Sequence, residues 1–440
     1  MKPAADRRIR TLRWYALTGI SRPAQLLIFI DRYGDASHSA GREDTPNTGG
    51  TPLIRTHFDA LVIGGGIMGR CALYHLQRLG LSNVGIVERF SWNHNRGSSH
   101  SHSRVTRSAY VNADYVRLMQ VAHGQEWPRL EADAGEQLIH PTDGCFFGPE
   151  GGKFEDYAQA VTGAEIDCEV VDVAEARRRF PMFRFPTAVG AVHDRTAGVI
   201  AAAQTMQALA RLTQAGGATV MAETKVLAVD TTTSPVQVTV QREGEQLCLQ
   251  ADRVIVCSGP WSAELLPLLQ PRLQVARQTV GYFVLAGNSA KYEPGKWPVW
   301  GNLGAPEGEV FYGLPAYGRE GIKIARHVTS GAQDDPNLLP AEVLPEDLEP
   351  LREFLSREFV SPVERFAGAE HCYYTNTATE DYIVDLHPDS DRVAIGAGFS
   401  GHGFKLAPVC GRALAELVTE GKSTIPEFEA MRATLSITAP

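Results

Sequence analysis

The chain has 440 residues, of which 43% are hydrophobic and 21% are charged, so it is long enough for two domains with well-formed cores. A formal net charge of -9 argues against nucleic acid and anionic membranes as partners. The seven cysteines are scattered and include no CxxC pair, so we expect a cytoplasmic protein with neither a disulfide framework nor a metal site.

Residues 1–56 differ in composition from the rest of the chain, with nine Lys or Arg against five Asp or Glu. Their apolar stretch, Ala24 to Ile30, is too short to span a bilayer. Arg7-Arg8 leaves a twin-arginine export signal as an alternative, although charged residues interrupt the apolar region that follows. We expect a disordered extension, or a start codon assigned too far upstream.

The first glycine-rich turn follows a predicted strand, Phe58 to Ile63, and precedes a predicted helix, Ile67 to Leu79. Gly64 permits the tight turn, Gly66 lets the backbone approach phosphates, and Gly69 lets the helix pack closely on the strand. The N-terminus of that helix then presents free N–H groups to an anion. This order of elements predicts a dinucleotide site.

A second predicted strand, Val84 to Val87, ends at Glu88. A carboxylate at this point can accept hydrogen bonds from ribose hydroxyls and would repel a 2′-phosphate. The acid therefore favours FAD or NAD over NADP.

The middle of the chain predicts further pieces of the same sheet, namely a helix over Ile200–Ala215, a strand near Lys225–Val229 and a buried parallel strand in Arg253–Gly259. Val275 to His327 alternates in short runs that are typical of an antiparallel sheet. The predicted fold class is therefore α/β, a Rossmann-type FAD-binding domain with an inserted antiparallel β-rich (α+β) substrate domain.

The predicted domain boundaries follow these patterns. Residues 57–143, 200–274 and 378–440 form the FAD-binding domain, and residues 144–199 and 275–377 form the substrate domain.

A second glycine-rich turn, with Gly398, Gly401 and Gly403, follows the predicted strand Val393 to Ile395. One such turn is enough to hold a pyrophosphate. Two of them, far apart in sequence, indicate a long two-part cofactor such as FAD that is held at both ends.

Two predicted strands present pairs of reactive side chains. Alternation places Lys323 and His327 on one face of their strand, and Cys372 and Tyr374 on one face of another. The alternative for Lys323 is a solvated surface lysine, and the alternative for Cys372 is a buried thiol without a function.

Cationic side chains near the two glycine-rich turns are also candidates for ligand binding. Arg104 and Arg107 are three residues apart, as suits one helical face or two sides of a loop, with a solvated basic loop as the alternative. His100 and His102 lack a nearby carboxylate or cysteine, so no metal site is expected. Lys405 precedes a helical pattern, where a cation opposes the helix dipole, so ligand binding is a reason for its presence.

With these motifs identified, the chain resembles the monomeric sarcosine oxidase and N-methyltryptophan oxidase family of D-amino-acid-oxidase-like flavoenzymes, from about His57 to about Thr424. The most specific stretches are Gly97–Tyr110, Phe311–His327, Cys372–Pro388 and Gly398–Lys405. One departure is Ser99-His100-Ser101-His102-Ser103, where family members have His-His-Gly-Asp-Thr.

On the flavin side, the resemblance implies a covalent thioether between Cys372 and FAD. It also implies that Arg104 and His100 lie against the isoalloxazine and that Lys323 activates O2.

On the substrate side, the resemblance implies that Arg107 and Lys405 clamp a carboxylate. Tyr374 and His327 would line the amine side of the pocket, with Tyr312 nearby.

The function so implied is an FAD-dependent oxidase of N-methyl or other secondary α-amino acids, which oxidises the C–N bond to an imine and reduces O2 to H2O2. The partners are then an amino acid and O2, and the resemblance implies a monomer. The alternatives are a biosynthetic oxidase of a cyclic, pipecolate-like imino acid, an amine dehydrogenase that uses another electron acceptor, and a flavin-binding protein without turnover.

Overall fold

The computed structural model describes residues 56–287, 289–304, 308–328, 334–338 and 342–439. The extension predicted for residues 1–56 lies outside these residues, apart from Thr56. No helix in the described ranges is both long and apolar enough to cross a lipid bilayer.

The strands, in chain order, are β1 His57–Ile63, β2 Val84–Val87, β3 Ser103–Thr106, β4 Ile139–Pro141, β5 Gly144–Gly148, β6 Cys168–Asp172, β7 Gly190–Asp194, β8 Gly198–Ala201, β9 Thr219–Met221, β10 Thr224–Asp230, β11 Val236–Arg242, β12 Glu245–Val256, β13 Gln274–Leu285, β14 Val299–Asn302, β15 Val310–Leu314, β16 Ile322–His327, β17 Val363–Asn376, β18 Ile383–His387 and β19 Ser390–Ala397. The α-helices are α1 Ile67–Arg78, α2 Ala113–Val121, α3 Trp127–Ala134, α4 Lys153–Val161, α5 Val173–Arg179, α6 Ala202–Ala215, α7 Ser262–Leu265, α8 Pro345–Glu358, α9 Ala407–Glu420 and α10 Pro426–Ala430.

The first sheet has the strand order β10-β11-β12-β1-β2-β9, and β19 pairs with the end of β12. This sheet contains a parallel layer, which consists of β9, β2, β1, the end of β12, and β19. Both faces of β1 are covered, because Ala60 and Val62 pack with α1 and α9 while Leu61 and Ile63 pack into a second core on the other side. This explains the unbroken apolar run in its sequence.

Two sequence predictions for this sheet were wrong in detail. Helix α6 begins at Ala202 rather than Ile200, because Gly198–Ala201 forms β8 and pairs with β3 and β4. The predicted strand near Lys225 is β10, which runs antiparallel to β11 instead of extending the parallel layer. The strand that does extend this layer is the three-residue β9.

The second sheet has the order β17-β13-β16-β15-β14-β5-β7-β6 and is antiparallel except where β14 pairs with β5. Helix α8 packs against it through a core that includes Trp300 stacked on Phe354 at 5.4 Å. The predicted fold class is thus confirmed, while the predicted domain boundaries stay a prediction.

The two glycine-rich turns leave β1 and β19 at the same edge of the first sheet, because both strands run parallel to β12, which lies between them. Ligands of open parallel sheets bind beyond this carboxyl edge. The topology therefore directs both turns towards one place.

Candidate active site

A cavity of about 860 Å³ contains both glycine-rich turns and the candidate faces of β16 and β17 in its lining. Of the residues predicted for the site, those that line it are Gly64, Gly66, Glu88, His100, Arg104, Arg107, Tyr312, Lys323, His327, Cys372, Tyr374, Gly398, Gly401, Gly403 and Lys405. Gly69 does not line the cavity. The structure thus brings together residues more than 300 positions apart.

The first turn leaves no room for side chains. Gly64 has φ +103°, and a Cβ there would lie 2.3 Å from the carbonyl oxygen of Cys257. A Cβ on Gly69 would lie 1.9 Å from the carbonyl oxygen of Gly64, which explains its place behind the cavity wall. The close packing leaves backbone exposed to the cavity, as a phosphate site requires.

Glu88 is buried at the end of β2 and is held by its neighbours. It accepts hydrogen bonds from the N–H groups of Gly65 and Phe90, each at 2.8 Å, and lies 3.4 Å from His94 Nε2. Burial alone raises the pKa of Glu88, but the His94 contact and the two backbone donors lower it below its usual value. The side chain is therefore an ionised acceptor with lone pairs to spare for ribose hydroxyls.

The second turn also depends on glycine. Gly401 has φ +77°, and a Cβ there would lie 2.2 Å from the ring of Tyr374. A Cβ on Gly398, at φ +64°, would lie 2.5 Å from Thr377. The turn consequently sits directly against β17, the strand that presents Cys372.

Lys323 is buried on β16, so the alternative of a solvated surface lysine was wrong. Its Nζ donates to Ser101 Oγ and to the carbonyl of Ser103, both at 3.1 Å. Burial and the nearby Arg104 lower its pKa to about 7. The two bonds leave one donor of the ammonium for a ligand in the cavity.

Arg104 lies on β3, and His100 lies beside it in the segment that precedes this strand. Arg104 donates to the carbonyls of Ser98 at 2.8 Å and His100 at 2.6 Å, which fixes this loop. Burial and the Arg104 charge lower the pKa of His100 to about 4, so its imidazole is neutral, with Nε2 donating to the carbonyl of His371 at 3.0 Å.

Cys372 and Tyr374 line the cavity from β17. Burial raises the pKa of the Cys372 thiol, although Arg104 acts to lower it. The hydroxyl of Tyr374 lies 3.0 Å from that of Tyr312, and its ring lies 5.4 Å from that of His327. Tyr312, Tyr374 and His327 thus form an aromatic side of the cavity that also presents hydroxyl and imidazole groups.

His327 ends β16 and faces a carboxylate, since its Nε2 lies 3.6 Å from Glu380 Oε2. The nearby His327 lowers the pKa of Glu380 to about 2. An ionised carboxylate thus adjoins the imidazole that lines the cavity.

Arg107 and Lys405 meet at Tyr110. The guanidinium carbon of Arg107 lies 4.2 Å from the centre of the Tyr110 ring, and Lys405 Nζ donates to the Tyr110 hydroxyl at 3.2 Å and to the carbonyl of His402 at 3.1 Å. Burial and the charge of Arg107 lower the pKa of Lys405 well below its ordinary value. Among the described residues neither cation has a carboxylate within ion-pair distance, and both line the cavity.

Sequence reasoning missed Ser101, Tyr110, Tyr282 and Glu370. Glu370 is two residues before Cys372, so strand alternation could have found it. The others carry no local motif. His102 stands where the family pattern has an aspartate. It is exposed and does not line the cavity.

Known proteins of one family match most of this chain. The family model described as FAD dependent oxidoreductase (DAO) matches residues 59–417. The monomeric sarcosine oxidase of Bacillus sp. (strain NS-129) is 32% identical over 378 residues, which cover 84% of this chain and 95% of that protein. The peroxisomal sarcosine oxidase of Homo sapiens is 33% identical over 367 residues, covering 82% and 92%.

Among solved structures, the chain is similar to NikD, described as an unusual amino acid oxidase essential for nikkomycin biosynthesis. The TM-score is 0.71 at 22% identity, with 86% of this chain and 97% of that chain covered. This likeness concerns the fold.

Proposed function

Since the chain belongs to the FAD dependent oxidoreductase (DAO) family, we propose that it is an FAD-dependent oxidase of N-methyl or other secondary α-amino acids. The similarity to two sarcosine oxidases supports this substrate class. The overall reaction converts the amino acid and O2 into an imine and H2O2, and water then hydrolyses the imine, which releases formaldehyde when an N-methyl group is oxidised.

The residues present fit FAD. The close-packed turn at Gly64 and the ionised Glu88 suit the nucleotide half, and the second glycine-rich turn with His100 and Arg104 suits the flavin half. We further propose a thioether from Cys372 to the flavin. When bound, FAD accepts two electrons from the substrate and passes them to O2.

The observation that carries the substrate class is the pair formed by Arg107 and Lys405. Two cations beside one tyrosine, with no carboxylate within ion-pair distance in the part of the chain that the structure describes, are costly unless a ligand pairs with them. Each charge-assisted hydrogen bond to a carboxylate contributes about 1.5–3 kcal/mol. Together they would favour an amino acid over the matching simple amine by roughly 10²–10⁴-fold.

The amine side of the pocket is formed by Tyr312, Tyr374 and His327. A secondary amine must lose its ammonium proton before its C–N bond is oxidised. His327 accepts that proton in this proposal, since it lines the cavity beside the Glu380 carboxylate. The tyrosine hydroxyls can accept or donate a hydrogen bond as the nitrogen changes its protonation.

Lys323 supports O2 as the electron acceptor over a protein or a quinone. A buried cation beside the cavity stabilises negative charge as O2 is reduced. A cyclic imino acid is itself a secondary α-amino acid and would use the same carboxylate clamp, so it remains within the proposed class. We also propose that the protein is cytoplasmic and monomeric.

The test is anaerobic mixing of the purified protein with sarcosine, N-methyltryptophan, pipecolate, proline and several D-amino acids, followed by air. Bleaching of the flavin by a secondary amino acid, then rapid recovery in air with release of H2O2, is the expected result. Bleaching without recovery in air would indicate a dehydrogenase. No bleaching by any compound would refute the proposed substrate class.

A further inference from the structure

Some of the groups around Lys323 favour its charged form and others disfavour it. Arg104 and Arg319 act to lower its pKa, and the neutral His100, the Cys372 thiol and the Tyr282 ring, centred 5.9 Å from Nζ, also face it. The carboxylate that acts on it is Glu370, on β17. That residue is partly buried and is two positions before Cys372.

A chain of hydrogen bonds joins Glu370 to Lys323. Lys323 Nζ donates to Ser101 Oγ at 3.1 Å, and Ser101 Oγ lies 3.1 Å from the hydroxyl of Tyr282. Tyr282 donates to Glu370 Oε1 at 2.5 Å. Tyr282 and Lys323 also stand directly opposite each other in the β13–β16 pair, so the sheet itself holds the two ends of the chain in register.

Ser101, which links Lys323 to Tyr282 in this chain of hydrogen bonds, has an unfavourable backbone conformation. Ser101 has φ +81°, in the left-handed region that favours glycine. A glycine would relieve the backbone but has no hydroxyl to connect Lys323 with Tyr282. The serine therefore supplies a link at the expense of local strain.

We propose that Glu370 is a positioning residue for the O2 half-reaction, which acts through Tyr282 and Ser101 to hold the Lys323 amine in place and in its charged form. The proposal rests on the proposed function, because it assigns the linked lysine to the step in which O2 is reduced. Glu370 touches neither substrate nor oxygen in this role.

The charges make the direction of the effect clear. Burial acts to raise the pKa of Glu370, but the Lys323 charge and the hydrogen bond from Tyr282 lower it to about 2, so its charge is constant at working pH. The pKa of Lys323 is already lowered to about 7, so a modest further decrease would discharge it at neutral pH. Removing the Glu370 charge should lower the pKa of Lys323 by about one unit, the lower end of the shift that a nearby opposite charge produces.

The experiment uses the holoenzyme and measures two pH profiles. The first is the visible absorbance of the oxidised bound flavin, in which the transition that disappears in Lys323→Met belongs to Lys323. The second is the rate at which dithionite-reduced enzyme is reoxidised by O2. Neither profile needs an amino acid substrate.

We expect Glu370→Gln, which keeps the acceptor for Tyr282 but removes the charge, to move both midpoints down by about one pH unit and to slow reoxidation about fivefold at neutral pH, because the charged fraction of Lys323 falls by about that factor. Glu364→Gln is the matched control, because Glu364 is an exposed acid on the same strand. Unchanged midpoints in Glu370→Gln would overturn the proposal.

Ser101→Gly and Tyr282→Phe keep the proposal falsifiable if Glu370→Gln does not fold. Both break the hydrogen-bond chain, and Ser101→Gly also relieves the strained backbone, so it should be no less stable than the parent and yet have a lowered midpoint. A parental midpoint in both variants would overturn the linkage. A shifted midpoint in a protein that no amino acid bleaches would instead refute the proposed function alone.

Discussion

Lys405→Met removes the ammonium group from the proposed carboxylate clamp while nearly keeping the length and volume of the side chain. The two groups to which Lys405 donates keep other partners. The Tyr110 hydroxyl still lies 3.1 Å from His402 Nδ1, and the His402 carbonyl still accepts from Tyr382 at 3.0 Å. The substitution therefore leaves no buried polar group without a partner, and its effect reports the lost charge.

The expected loss of binding follows from one charge-assisted hydrogen bond, about 1.5–3 kcal/mol, or roughly a 10- to 150-fold weaker affinity for an amino acid. Stability should change in the opposite direction. Burial, and then the charge of Arg107, lower the pKa of Lys405, so folding with the charged form is unfavourable. That cost is complete below the folded-state pKa and disappears as the pH rises towards the unfolded-state value. Lys405→Met should thus raise Tm, and most at low pH.

The assay compares two compounds that differ only in the carboxylate, N-methylphenylalanine and N-methylphenethylamine, by anaerobic flavin reduction. The variant should bind the amino acid more weakly and the amine almost as the parent does. Lys296→Met, which removes an exposed lysine 3.6 Å from Glu293, is the control and should change neither. An equal loss for both compounds, or none for the amino acid, would refute the assignment of Lys405 to the carboxylate.

Three further substitutions test other parts of the site. Gly69→Ala should yield protein with little flavin absorbance, because its Cβ would lie 1.9 Å from the Gly64 carbonyl oxygen and would force α1 away from β1; parental flavin content would contradict the phosphate cradle. Cys372→Ser should release flavin on acid precipitation whereas the parent and Cys248→Ser, at an exposed cysteine, stay yellow; flavin release from the parent would exclude the covalent bond. Lys323→Met should slow reoxidation by O2 far more than reduction by substrate, and equal slowing of both would contradict its assignment to oxygen.

Much of the fold could be predicted because its signals are local. Gly64 and Gly401 adopt positive φ and close contacts that other residues resist, so they mark their turns in the sequence itself. Strand alternation predicted that Lys323 and His327 share one face of their strand, since a period of two needs no knowledge of the rest of the chain.

The errors have equally physical causes. Strand β9 has three residues and offers too short a run for any periodic signal. The helix prediction included Ile200 because an apolar residue suits either a buried strand or a helix, and only pairing with β3 and β4 decides between them. The bond from Lys405 to Tyr110 spans 295 positions, so no local pattern records it.

Four of the cations that line this cavity, Arg104, Arg107, Lys323 and Lys405, have no carboxylate within ion-pair distance among the described residues. A fold selected for stability alone would pair or expose such groups, because burying an uncompensated charge is expensive. The charges are instead held by carbonyls and hydroxyls, which fix their positions without neutralising them. Such an arrangement suits negative charge that arrives from outside the chain, as a substrate carboxylate does on binding and as oxygen does on reduction. The proposed chemistry therefore gives these costly charges a function.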